Sequence, residues 1–221
     1  MNFTENLFAT GWYLAAYVPL AALIVWAARG APWSWLKDSR HLNVLLGAVV
    51  FLCLLWSMKA GVKPGLSLHY VGASLLTLVA GPQFAVLGLL MVLAVVTLNG
   101  DAAWIAFGLN AMVMVAVPVF VASRCLRLVE RWLPHHLFVY IFLNAFFGAG
   151  LTVLGVGGVS TGTLLLGGAY GASFLFNEFT LFFLLLAFSE AWLTGMAITV
   201  MVVYRPEWVS TFDDARYLKN K

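Results

Sequence analysis

Residues 65–93 read GLSLHYVGASLLTLVAGPQFAVLGLLMVL, with no Asp, Glu, Lys or Arg among them. A helix needs about 20 apolar residues to cross the hydrocarbon core of a bilayer, and this run is longer than that. Gly81-Pro82, near its middle, is a tight-turn signal. The stretch therefore predicts two short spans, 66–81 and 83–98, each about 24 Å long if helical, that meet at the turn.

The flanks extend the pattern over the whole chain. Of 221 residues, 63% are hydrophobic and 10% charged, and the mean hydropathy is +0.96. A soluble domain carries about 25% charged residues and has a large surface to cover for its volume, so this composition excludes one. Breaks at charges, Gly and Pro predict five more spans, at 7–28, 43–58, 102–123, 138–155 and 175–204. The expected fold is all-α: a polytopic transmembrane helical bundle of about seven spans, forming a single integral domain over 1–221, multi-pass in the inner membrane with lipid around it. Too little polar sequence is left for a second soluble domain, and a net charge of +3 gives no reason to expect nucleic acid.

Basic residues set the expected orientation. With seven spans, Arg29, Lys37, Arg40, Arg124, Arg127, Arg131, Arg205, Arg216, Lys219 and Lys221 fall on one side, and Lys59 and Lys63 on the other. The positive-inside rule then places the C-terminus in the cytoplasm and Met1 outside. The start, MNFTENLFATGW, has no positive n-region and reads as mature sequence rather than a signal peptide. Trp and Tyr residues near the span ends read as an aromatic belt.

Polar residues are few, so each is informative. His69 opens the third span and is a candidate metal ligand, because neutral imidazole suits nickel, copper, cobalt and zinc. Glu190 lies inside the last span, where a carboxylate is costly unless paired, protonated or in water; it reads either as a proton or cation relay or as an interhelical hydrogen bond that fixes packing, with Asn110 and Asn144 as candidate partners. Glu178 lies near the outer boundary and could line a cation path. Asp101 is expected to cap the start of span five. His135 and His136 read as a solvated pair. The glycine-rich stretch 155–171 lacks the ending of a phosphate loop and reads as an outer loop, flexible or re-entering the protein body.

No GxSxG, HExxH or other catalytic constellation is present, and Cys53 and Cys125 form no CxxC. The chain reads as a non-enzyme without an organic cofactor.

Two stretches resemble the CbiM/NikM family, the substrate-capturing membrane subunits of energy-coupling-factor transporters for cobalt and nickel. In the first, residues 65–93 and LNGDAAWIAFGLNAM (98–112), the matching positions are Gly65, His69, Gly72, Gly81-Pro82, Gly100, Gly108 and Asn110. In the second, FSEAWLTGMAITVMVVYRPEW (188–208), they are Glu190, Ala191, Thr194 and Gly195. The resemblance implies a near-planar nitrogen site built from the free amine, the second residue (a His in the family) and the later His. Here Met1 supplies the amine and His69 the later imidazole, but position 2 is Asn2. The family's His in the glycine-rich turn is Asn99, and Asp101 stands where a second Gly is expected. The resemblance thus implies capture of a divalent transition metal (nickel or cobalt, with copper or zinc as alternatives), with an energy-coupling transmembrane subunit and ATPases as partners. Met1, Asn2, His69, Asn99, Asp101 and Glu178 are the candidate metal residues; Asn110 and Glu190 are internal polar anchors. The missing imidazole at position 2 leaves an alternative: an accessory or assembly protein on the same scaffold, with no transport of its own.

Overall fold

The computed structural model describes residues 2–63 and 66–218. Six helices in it are long and apolar enough to cross a membrane: α1 (Thr10–Gly30), α2 (Ser39–Ser57), α3 (Ala73–Leu98), α4 (Trp104–Trp132), α5 (Leu137–Leu166) and α6 (Ala172–Tyr204). A short antiparallel hairpin, β1 (Ala60–Lys63) and β2 (Leu66–Leu68), joins α2 to α3, with Ala60 opposite Leu68. One further turn, α7 (Asp214–Tyr217), follows α6.

Helix α3 is broken in its middle. Gly81 has φ +81° and ψ 165°, a conformation open only to glycine, and Pro82 next to it has no N–H to continue the helix. The chain folds back there. A Cβ built on Gly88 would lie 3.4 Å from Leu76 Cδ1 and 3.2 Å from Val49 Cγ2, whereas Leu76 and Gly88 would be about 18 Å apart along a straight helix. Residues 73–80 thus run antiparallel to 82–98. The turn expected at Gly81-Pro82 is present, and the chain crosses the bundle seven times with six long helices. The first crossing of the pair is not the expected 16-residue span: strands 60–63 and 66–68 and irregular backbone at 69–72 precede the helix, and only 73–80 is helical. Irregular backbone at such depth must be buried in protein, and His69, Tyr70, Val71 and Gly72 are all buried.

Contacts divide the bundle into two ends. At the upper end, Lys59 pairs with Asp101, Tyr17 Oη donates to Trp104 O and Phe8 packs on Gly167. At the lower end, Gln83 lies against Gly30, Ser210 N–H donates to Val79 O at 2.9 Å, and Arg216 pairs with Glu130 at 3.0 Å. Arg40, Arg131 and Arg205 share that lower end with Arg216, as the charge count expected; Lys219 and Lys221 lie outside the described residues. α3 lies at the centre, buried on most sides, which is what a helix apolar all round requires.

Three further expectations about the helices and their polar residues need correction. The glycine-rich stretch is not a loop: residues 155–166 continue α5, and only 167–171 form the turn. Three of its glycines, Gly155, Gly157 and Gly167, allow close packing, as small residues do in membranes. A Cβ on Gly157 would stand 2.6 Å from the Phe183 ring, and one on Gly155 3.1 Å from Val121 Cγ2. Asp101 caps no helix; its carboxylate is held by Lys59 and by Asn99 Nδ2, because the β hairpin carries the lysine to the same edge. Glu190 is not partnered by Asn110 or Asn144, as the site geometry makes plain.

Candidate metal site

The backbone between the hairpin and α3 is pinned by α6. Glu190 is fully buried. Its carboxylate accepts from Val71 N–H at 2.8 Å and Gly72 N–H at 2.5 Å. Both oxygens are used, at the N-terminal end of residues 73–80, where the helix dipole also favours an anion. Tyr70 Oη adds a bond to Thr194 Oγ1 at 2.9 Å. Gly72 has φ +70°, and a Cβ there would fall 2.1 Å from Leu52 Cδ2, so glycine is required on two counts.

This scaffold fixes His69. The ring is 3% exposed and lies against Trp56, with centroids 4.4 Å apart. Trp56 is itself oriented by its own bond to Val71 O at 3.2 Å. His69 Nδ1 lies 2.9 Å from Tyr70 O. A carbonyl can only accept, so Nδ1 carries a proton, and in the neutral ring the lone pair lies on Nε2. An imidazole whose second nitrogen donates to a backbone carbonyl is the arrangement that orients metal-ligating histidines.

The amino-terminal segment enters the same bundle from the upper end. Phe3 N–H donates to Asn110 Oδ1 at 2.7 Å, and Asn110 Nδ2 donates to Phe3 O at 3.1 Å. Tyr13 Oη donates to Thr4 O and accepts from Leu7 and Phe8 N–H. Phe3 is fully buried and Asn2 is 4% exposed. Asn2 Oδ1 has no hydrogen-bond partner among the described residues. An unpaired buried carbonyl oxygen is uncommon and asks for a ligand or water. Met1, the expected amine donor, and Gly65 lie outside the described residues.

The remaining candidates are elsewhere. Asn99 is exposed, and Asp101 pairs with Lys59 at the upper surface; the neighbouring ammonium holds the Asp101 carboxyl below its usual range. Glu178 is exposed beside Leu181 and Leu185. Among the described residues no three His, Cys, Asp or Glu side chains converge, so a metal here would rest on His69 and backbone or amide donors. Sequence reasoning missed Trp56, Tyr13 and the two amides that hold Glu190. His136 is not merely solvated: its Nδ1 accepts from Phe138 N–H at 3.1 Å.

The sequence model of CbiM, described as the cobalt uptake substrate-specific transmembrane region, matches residues 2–208. The chain belongs to the CbiM family. As a CbiM-family chain it also matches the "Probable fused nickel transport protein LarMN" of Lactiplantibacillus plantarum, at 31% identity over 119 residues. That match takes in 53% of this chain and 35% of the relative, so the chain spans about a third of that protein's length. Two crystal structures share the fold at 19% identity: a truncated transition metal transporter (TM-score 0.79, 92% of this chain and 99% of that one) and a transition metal transporter (TM-score 0.76, 91% and 92%). The multi-pass bundle is thus a CbiM-type membrane scaffold.

Proposed function

We propose that this CbiM-family chain captures a divalent transition metal, nickel or cobalt, at its upper end and works in uptake with an energy-coupling transmembrane subunit and ATPases. The upper end faces outward, because basic residues gather at the lower one. His69 Nε2 is the principal ligand. Asn2 contributes its amide oxygen and backbone nitrogen, and the Met1 amine completes the set.

The observation that carries the reading is the orphaned Asn2 Oδ1, held deep in the bundle by the Phe3–Asn110 clamp, in a chain that also buries a correctly tautomerised imidazole. A solvated tail would need no such clamp.

Metal analysis of purified protein, wild type against His69→Ala, tests it. Bound nickel or cobalt that the variant loses supports capture. Metal in neither protein, with both folded, replaces the proposal by the accessory role.

A further inference from the structure

Two of the grooves on the bilayer-facing surface end on an arginine near the lower end. The first, about 490 Å³, lies between α2 and α6 and ends at Arg40 and Trp208. The second, about 600 Å³, is walled by Leu23, Trp26, Val86, Phe120 and Gly155 and ends at Ser123 and Arg127. Their cations differ. Arg40 is neutralised by Asp38, bonded at 2.9 Å. Arg127 donates only its Nε–H, to Ser123 O at 3.2 Å. Its two terminal nitrogens have no carboxylate or hydrogen-bond partner among the described residues. Glu130, one turn further along α4, is taken by Arg216 and Tyr217.

We propose that the second groove binds an anionic phospholipid, its phosphate on Arg127 and one acyl chain along the apolar walls. The dimensions fit. From Val117 to Arg127 the groove follows ten residues of α4, about 15 Å, which is the thickness of one leaflet's hydrocarbon layer, half of about 30 Å. Phe120 and Trp26 are 57% and 47% exposed and stand as its rims. Arg124 stacks over the Phe120 ring at 5.1 Å, which adds a second positive charge beside the headgroup position. Basic pockets between transmembrane helices on the cytoplasmic side select anionic headgroups in this way, and a planar guanidinium with four terminal N–H donors suits a phosphate. The site is independent of the metal reading.

The test is lipid titration of delipidated protein in neutral detergent, read by native mass spectrometry and by thermal unfolding. Wild type should bind phosphatidylglycerol about fivefold more tightly than phosphatidylcholine of the same chains, the weight of one interfacial arginine. Arg127→Gln should bring the ratio close to one, and Arg127→Lys should keep part of it. Ala116→Trp, which fills the groove but keeps the charge, should weaken both lipids. Unfolding without lipid reports whether each variant is folded, and only folded variants are compared. Equal binding of the two lipids by wild type, or an undiminished preference in Arg127→Gln, overturns the proposal. So does an equal shift from glycerol phosphate alone, which would make the site one for a free anion.

Discussion

Asn110 grips Phe3 by both of its backbone groups, accepting at 2.7 Å and donating at 3.1 Å. One amide side chain thus does for the amino-terminal segment what a neighbouring strand does in a sheet, at a point where both residues are completely buried. The bidentate pairing defines the depth of Asn2 in the bundle. Asn110→Ala leaves two buried backbone groups unpaired, a loss of about 1–3 kcal/mol for each to the segment's attachment. Hydrogen exchange at Phe3 should accelerate and metal affinity fall with it, while the helical core keeps its protection. Unchanged exchange at Phe3 would show that the clamp does not hold the segment.

Glu190 is predicted to matter for stability. Removing its carboxylate strands the Val71 and Gly72 amides in a dry interior, at about 1–3 kcal/mol for each unpaired group. Glu190→Ala should lower the thermal unfolding temperature in detergent more than any single apolar truncation on the outer face of α6. Glu190→Gln should fall between, since one carbonyl oxygen still accepts while its NH₂ faces a second donor. An unfolding temperature in Glu190→Ala equal to wild type would mean that the two amides find other partners.

Gly72→Ala should be destabilising for two separable reasons. A left-handed backbone costs a non-glycine residue about 1–2 kcal/mol, and the new methyl would overlap Leu52. Leu52→Ala relieves only the second. In a double-mutant cycle the pair should therefore be less destabilised than the sum of the single variants, by about 1 kcal/mol or more. Strict additivity of the two would place Leu52 away from Gly72.

Where the sequence was legible, the signal was local. Gly81-Pro82 turns the chain because the two residues themselves dictate backbone geometry. His69 stood out because an imidazole in an apolar run is costly to keep. The glycine-rich stretch misled because glycine's helix penalty is a solution property. In the bundle, position 157 is a glycine within a helix because the Phe183 ring fills the space a Cβ would take, and nothing within residues 155–171 announces that. Glu190 was legible as a buried carboxylate, but its partners were not. The amides of Val71 and Gly72 lie 119 and 118 positions away and belong to the backbone, which has no residue-type signature. Asp101 followed the rule for helix caps in type but not in fact, since the hairpin brings Lys59 within reach and an ammonium outcompetes a terminal amide.

The substitution at position 2 makes the sharpest prediction. If Asn2 Oδ1 faces the ligand space, Asn2→His puts an imidazole nitrogen, a better donor for nickel and cobalt, where a weak amide oxygen now stands. Affinity should rise by at least about 10–100-fold, the size of effect that even indirect changes around a metal produce. The rise should vanish in Asn2→His combined with His69→Ala, because one imidazole without the other leaves the donor set no stronger than in wild type. Calorimetric titration of the four proteins with nickel and cobalt makes the comparison. If Asn2→His gains nothing while Asn2→Ala loses nothing, the buried end of the chain is packing, and the metal must be sought away from it.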